Sequence, residues 1–466
     1  MLFSSPLFLF FVLPPALLLY FLAPKVLKNT ALLVASVLFY AWGEPAAVLV
    51  VLASALFDYL LGPKVVKPGP EGGRWLALGV SANLLLLFVY KYANFFIGTV
   101  EPVLGPLPHL NLALPLGVSF IVFEKITYLV DLRRGESRTA RSLRDYLLFV
   151  FFFPKVLAGP IIKYHEIDDA LRNRQDAKTE VWDDRTWGFL RFLWGLARKV
   201  LIADVCAQVV DRAFDPAGAT PGFAGAWIGV IAFTAQIYFD FAGYSDMALG
   251  LARMFGFKLR ENFAHPYGAV SFTEFWKRWH ISLTTWIRSY LYIPLGGNRH
   301  GQARTYLNLW LCFLLSGLWH GAAWTFVLWG AWHGAFMVLD RQSWWKWSEK
   351  LPSPLRAAGV LFLVAIGWTI FRAHDLPQLG AMLSAMASPG LEGRFVALRS
   401  HELAAIVIGL GGALIAATPL VRRLVTAGAA RPAARAGAAV FIVAVGGLAI
   451  AKALTTTFNP FLYFRF

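Results

Sequence analysis

TYLNLWLCFLLSGLWHGAAWTFVLWGAWHGAFMVL, residues 305–339, contains no Asp, Glu, Lys or Arg. The run is too long for one membrane-crossing helix, which needs roughly 20 apolar residues, and slightly short for two. Two of its residues titrate near neutral pH, His320 and His333. Gly317 and Gly321 flank His320 at the small-xxx-small spacing that lets helices approach closely. His320 therefore falls at a tight hairpin or at a break within the membrane. An ionisable group at that depth is costly, and the default hypothesis for it is functional. The bland alternative is an imidazole hydrogen-bonded across helices and kept for packing.

The rest of the chain supports a membrane setting. Of 466 residues, 58% are hydrophobic and 15% charged, and the mean hydropathy is +0.57. A soluble domain carries about a quarter charged residues. Apolar windows of spanning length recur throughout, with no long polar domain between them. The expected class is all-α, a polytopic integral membrane protein of one domain over 1–466. Its parts are N-terminal helices (1–100), a core (110–340) and C-terminal helices (355–466). Spans are expected near 2–22, 30–61, 75–98, 110–131, 144–162, 187–210, 222–239, 241–256, 305–339, 355–371, 403–418 and 438–455. WGEP at 42–45 turns the long 30–61 stretch into a hairpin. The first 22 residues lack a basic n-region and a small-residue cleavage site, so an uncleaved first span is expected. The Ala/Gly-rich, Arg-dotted stretch 421–438 reads as a linker.

The net charge of +16 is clustered in short connections at 133–144, 163–174, 258–304 and 341–356. Such clustering fits the positive-inside bias and places these loops in the cytoplasm. There they would meet anionic headgroups or a phosphorylated cosubstrate. With no basic soluble module, nucleic acid is not an expected partner. Cys206 and Cys312 lie in apolar segments without metal-ligand spacing, and no metal site is expected.

Two segments fit poorly as simple spans. FFFPKVLAGPII (151–162) lies between basic loops and is cut by Pro154 and Gly159-Pro160, which suits a re-entrant segment. SFTEFWKRWHISLTTWIRSYL (271–291) places Phe272, Phe275, Trp276, Trp279, Leu283, Trp286, Ile287 and Tyr290 on one helical face. Lys277, Arg278 and Arg288 lie off that stripe, as in an interfacial amphipathic helix, with His280 at its apolar edge. The following YIPLGGNR (292–299) offers a Gly-Gly-Asn turn and Arg299, a weak signal for phosphate. In QIYFDFAGYSDMALGLARMFGF (236–257), Asp240 and Asp246 interrupt an apolar run beside Tyr244. Pairing of these carboxylates with an arginine such as Arg253 competes with a functional role. The histidines at 109, 165, 265, 300, 374 and 401 sit in or beside loops, where solvated or capping roles are expected. A neutral imidazole at membrane depth suits general base catalysis, and attack of a hydroxyl on an activated acyl group needs no metal.

Together LPLGVSFIVFEKITYLVDLRRG (114–135), FFFPKVLAGPII, QIYFDFAGYSDMALGLARMFGF, FWKRWHISLTTWIRSYLYIPLGGNR (275–299), SGLWHGAAWTFVLWGAWHG (316–334) and FNPFLYFRF (458–466) resemble the membrane-bound O-acyltransferase (MBOAT) family, in its bacterial alginate O-acetyltransferase branch. The resemblance implies about 11–13 membrane helices, with re-entrant or interfacial segments, around a transmembrane channel. It implies that His320 is the catalytic base and that His280 is a second catalytic histidine, orienting the acceptor or stabilising the oxyanion. Substrate contacts are then expected at Lys277, Arg278, Trp279, Arg288, Asn298, Arg299, Tyr244, Asp246 and Trp319. The cosubstrate would be cytoplasmic acetyl-CoA, with no permanently bound cofactor. The acetyl group would cross the bacterial inner membrane to a periplasmic acetyltransferase or acetyl-carrier protein and end on an exported polysaccharide, alginate first. The same scaffold would serve peptidoglycan or cellulose O-acetylation or D-alanyl transfer to teichoic acid. A transporter or export subunit without covalent chemistry is the competing class. Three departures from the family's usual residues stand out: Glu124 where a neutral residue is frequent, Ser289 for an acidic one, and Arg465 for Gln in the last four residues.

Overall fold

The computed structural model describes residues 2–173, 179–342, 347–390, 392–429, 431–455 and 462. Among them regular structure is helical, apart from one isolated bridge between Pro221 and Arg394. Among the described residues, seven helices are long and apolar enough to cross a membrane. The other expected crossings fall on shorter helices, among them Phe8–Leu22 and Trp324–Leu339, or on broken ones. The chain forms two compact units. One comprises Met1–Phe192 and Tyr244–Arg260, the other Leu193–Gly243 and Glu261–Phe466.

In the first unit, the expected hairpin joins Lys28–Gly43 to Pro45–Val65 at Glu44, with Pro45 opening the second helix, where its missing N–H matters least. Helix Val118–Arg134 starts after Gly117, whose φ of 72° favours glycine and whose Cβ would sit 2.4 Å from the Val156 carbonyl oxygen. Residues 110–117 precede it without helix, so this span is shorter than expected. Helix Leu143–Phe151 stops at Phe152, one turn follows at Phe153–Val156, and the backbone then runs irregularly to Tyr164. Irregular backbone away from water must find partners within the protein. Here the Phe153 N–H donates to Ser36 Oγ (3.1 Å) and the Ile162 N–H to Glu124 Oε1 (3.3 Å).

Glu124 also forms a buried ion pair with Lys155, and its neighbour Lys125 pairs with Asp58 at 3.2 Å. The acidic departure at 124 is thus matched by a cation from the broken segment. Removing one member of such a pair typically destabilises by about 3–5 kcal/mol. Lys155→Met should therefore lower the apparent melting temperature in detergent. E124Q/K155M should recover most of it, because glutamine still accepts from Ile162. An equal loss in both variants would assign the effect to packing rather than charge.

Two expected spans, 222–239 and 241–256, are one 32-residue helix, Phe223–Met254. The expected boundary falls at Asp240, and a carboxylate neutralised by a lysine, here Lys199 at 2.8 Å, does not end a helix. Gly243, further along, permits close backbone approach, since its Cβ would lie 2.8 Å from the Gly195 carbonyl oxygen.

In the second unit, 305–339 resolves as a helical hairpin, Gly301–His320 and Trp324–Leu339, turning at 321–323. At 1.5 Å per residue the arms are about 30 and 24 Å long. Helix Leu376–Ala387 was not expected, and the stretch read as a linker is helical: Pro419–Ala429 and then Pro432–Thr455. Lys199 sits between Asp204 (2.5 Å) and Asp240 (2.8 Å), and Asp240 also accepts from the Leu462 N–H. Asp240 is therefore paired, as the structural alternative held, with a lysine in place of Arg253; Arg253 pairs with Asp184 in the first unit. FNPFLYFRF, with Arg465, lies outside the described residues except for Leu462.

Candidate active site

His320 is the last residue of its helix, at the tip of the hairpin, and is 5% exposed. The arms can meet there because Gly317 and Gly330 bring backbone against backbone. Rings surround the imidazole: Trp319 and Trp329 each at 5.0 Å and Phe371 at 5.5 Å between centroids. This site is apolar, buried and aromatic, and a proton acceptor in it would act away from bulk water.

The expected amphipathic helix over 271–291 is broken at His280. Phe272–Arg278 ends at Trp279, and Ile281–Ile287 begins after a His280 backbone at φ 44°, ψ 55°. A left-handed histidine costs about 1–2 kcal/mol and persists only where the surroundings impose it. The imposing element is the segment before the helix. Ala264 N–H donates to the Arg278 carbonyl (2.9 Å) and Ile281 N–H to the Asn262 carbonyl (3.0 Å), which diverts the backbone from helical bonding. The break turns His280 inward. It is fully buried, edge-on to Phe241 at 4.6 Å. Its Nδ1 lies 3.2 Å from Asn262 Oδ1 and 3.5 Å from Ser282 Oγ. Burial holds this imidazole down, to about 3, so the ring is neutral at physiological pH.

Trp319 links the two histidines. Its ring is 5.0 Å from His320 and 6.3 Å from His280, so both imidazoles border one buried indole. Sequence reasoning named all three residues but not Asn262, because a loop asparagine 18 residues from His280 carries no periodic signal.

The other expected substrate contacts divide. Lys277 and Arg288 are exposed on the broken amphipathic segment, and Arg278 is half-buried in an ion pair with Glu274. Trp279 is 2% exposed and packs on Trp368 (4.9 Å), Phe263 (5.0 Å) and Phe275 (5.6 Å), beneath His280 in sequence but within the aromatic core. Asn298 is exposed in the turn. The amides of Gly296, Gly297 and Arg299 are bonded to Ile293, Tyr292 and Gly296 carbonyls, so they are not arranged as a phosphate nest. Arg299 itself donates to the Ile293 (3.0 Å) and Gly296 (3.3 Å) carbonyls and pins the turn. Cationic groups facing outward here are side chains: Lys277, Arg288 and Arg304.

Tyr244 and Asp246 belong to the first unit. Tyr244 is buried and stacked on Phe3 at 4.7 Å, and Asp246 pairs with Arg191 at 2.9 Å, not with Arg253. His333 is fully buried among Trp329 (4.8 Å), Trp276 (5.1 Å) and Phe272 (5.7 Å). A Cβ at Gly367 would lie 2.7 Å from its Nε2, so the imidazole fills the space of a missing side chain, as a packing histidine does. Among the loop histidines, His109 pairs with Glu101 and His165 with Asp131.

Known proteins resemble this chain over most of its length. The MBOAT, membrane-bound O-acyltransferase family, profile matches residues 84–357. Probable alginate O-acetylase AlgI of Pseudomonas putida is 42% identical over 398 residues, covering 84% of this chain and 81% of that protein. The peptidoglycan O-acetyltransferase of Helicobacter pylori is 35% identical over 428 residues, covering 84% of this chain and 80% of its own. The teichoic acid D-alanyltransferase of Bacillus subtilis is 28% identical over 288 residues, 59% of this chain and 70% of that one.

Proposed function

Because this chain belongs to the membrane-bound O-acyltransferase family and is a multi-pass membrane acyltransferase, we propose that it takes acetyl from acetyl-CoA at the cytoplasmic face of the bacterial inner membrane and passes it outward for O-acetylation of an exported polysaccharide, alginate first. The observation that carries the reading is the pair of buried histidines that border Trp319. The identity to alginate O-acetylases over most of the chain supports the polymer.

In the proposed reaction His320 removes the proton from an acceptor hydroxyl. The oxygen attacks the thioester carbonyl, the C–S bond breaks, and the CoA thiolate leaves with the proton that His320 returns. General base catalysis of this kind supplies about 10²–10⁴ in rate. The position of His320 at a helix carboxyl end suits a group that carries positive charge midway through the step. His280 acts on the acceptor. Lys277 and Arg288, exposed near the break, attract the CoA phosphates. No permanently bound cofactor enters, and the final transfer to polymer belongs to a periplasmic acetyltransferase or carrier.

Charge reversal tests the phosphate contact. K277E/R288E should raise KM for acetyl-CoA about tenfold with kcat within twofold, an effect that shrinks as salt rises; an unchanged KM would remove these residues from the donor site. The acceptor is tested by deleting the gene and quantifying esters on cell polymers. Loss of acetyl from an exported uronate polymer supports the proposal. Loss confined to peptidoglycan acetyl would favour the second reading, for which the Helicobacter pylori relative speaks. Unchanged ester content on all polymers would sink the proposal.

A further inference from the structure

We infer that Asn262 is a positioning residue that locks His280 in the Nδ1–H tautomer, so that Nε2 serves as a hydrogen-bond acceptor for the hydroxyl of the acyl acceptor. This rests on the acyl-transfer reading of His280 given above and narrows it: a neutral histidine held this way orients the nucleophile and does not stabilise the oxyanion.

The tautomer follows from donors and acceptors around one atom. The Asn262 side-chain atom facing His280 also lies 3.2 Å from the Ser282 backbone nitrogen. A backbone N–H only donates, so the Asn262 atom must be the carbonyl oxygen and not the amide nitrogen. The Ser282 hydroxyl donates to the same oxygen at 2.9 Å. His280 Nδ1, 3.2 Å from this oxygen, must then carry the hydrogen. The Ser282 hydroxyl oxygen, 3.5 Å from Nδ1, is a second acceptor on the same side of the ring and favours the same tautomer. In a neutral imidazole the proton on Nδ1 leaves the lone pair on Nε2, and such a ring cannot donate from Nε2 to a developing oxyanion. Burial, which keeps His280 uncharged, acts in the same direction.

Asn262 also fixes the place of the ring. Its backbone carbonyl accepts from Ile281, next to the strained His280, so one residue holds both the left-handed backbone and the imidazole. It is 1% exposed, in the loop that precedes helix Phe272–Arg278. A side chain bonded at once to a catalytic-site histidine and to the turn that presents it is arranged for orientation.

The test is a double-mutant cycle on the purified full-length protein, measuring CoA release from acetyl-CoA. N262L should lower kcat about 10- to 100-fold, the loss typical when the partner orienting a functional histidine is removed, with KM for acetyl-CoA within twofold. N262D, which keeps the accepting oxygen, should stay within about threefold of wild type. N262L/H280A should be no slower than H280A, since Asn262 acts through His280. Wild-type kcat in N262L beside a slow H280A would overturn the inference, as would N262D as slow as N262L or additive losses in the double variant. H280A at wild-type rate would overturn it too, by leaving Asn262 nothing to position, while the His320 chemistry is judged separately on its own variant. Should N262L not fold, the ring ¹⁵N signals of His280, assigned by difference against H280A, read the tautomer directly. A protonated Nδ1 and bare Nε2 support the inference, and the reverse overturns it.

Discussion

His320→Ala should reduce CoA release from acetyl-CoA by at least about a hundredfold and bring the acetyl content of the exported polymer to background, while the protein folds and melts normally. The size of the loss follows from what a base does: without it the acceptor hydroxyl must lose its proton to a weaker base, water, in aromatic surroundings. The melt should change little because His320 ends a helix, and alanine is a good helix former. His320→Gln fills more of the space but cannot take up a proton, and should be as slow. A normally folded H320A that turns over at wild-type rate would reduce His320 to a packing residue. His333→Phe provides the contrast. That imidazole already packs as an aromatic ring among Trp276, Trp329 and Phe272, and phenylalanine should keep activity within a few fold if packing is its task.

The second large effect concerns the hairpin that carries His320. A Cβ at Gly317 would lie 2.1 Å from the Phe326 carbonyl oxygen, and one at Gly330 would lie 2.3 Å from the Phe313 carbonyl oxygen. Both obstacles are backbone, so no side chain can swing aside and the helices must separate. Overpacking of this sort costs about 1–3 kcal/mol, and more where nothing relaxes. Gly317→Ala and Gly330→Ala should each lower the apparent melting temperature by roughly 1–3 °C, at about 1 °C per kcal/mol for a chain of this length, and should slow turnover by displacing His320. Gly359→Ala is the control. It lies within helix Ser353–Arg372 with nothing within 4 Å of its Cβ, so alanine there should be neutral or slightly stabilising. Equal behaviour of all three variants would show that the hairpin tolerates separation.

Much of the site was legible because membrane-depth chemistry is sparse. In a stretch without charges, a histidine between two glycines stands out, and of the two shapes left open there, a hairpin or a break, the fold adopts the hairpin. The turn at WGEP was legible for a similar reason, since proline and a charge together interrupt an apolar run. What escaped depends on partners distant in sequence. The stripe over 271–291 has helical periodicity throughout, yet the hydrogen bonds Ile281 N–H to the Asn262 carbonyl and Ala264 N–H to the Arg278 carbonyl break it at His280, and no local pattern announces them. Phe223–Met254 was divided at Asp240, whose carboxylate Lys199 in fact neutralises within one continuous helix. Asp246 pairs with Arg191, fifty-five positions earlier, and not with the arginine nearest in sequence. The Gly-Gly-Asn turn looked suited to phosphate, but its amides close the turn itself. Periodicity locates helices and rare polar groups; which donors meet which acceptors is set by the packed fold.

The most direct measurement uses sealed inverted membrane vesicles that carry the protein, with acetyl-CoA labelled in its acetyl group supplied outside, on what was the cytoplasmic face. We expect acetyl label to appear in the lumen as ester, in proportion to CoA released outside, and to vanish with His320→Ala. Label that stays outside as acetate or untouched acetyl-CoA, or that enters equally with the His320 variant, would contradict acetyl transfer across the membrane by this site.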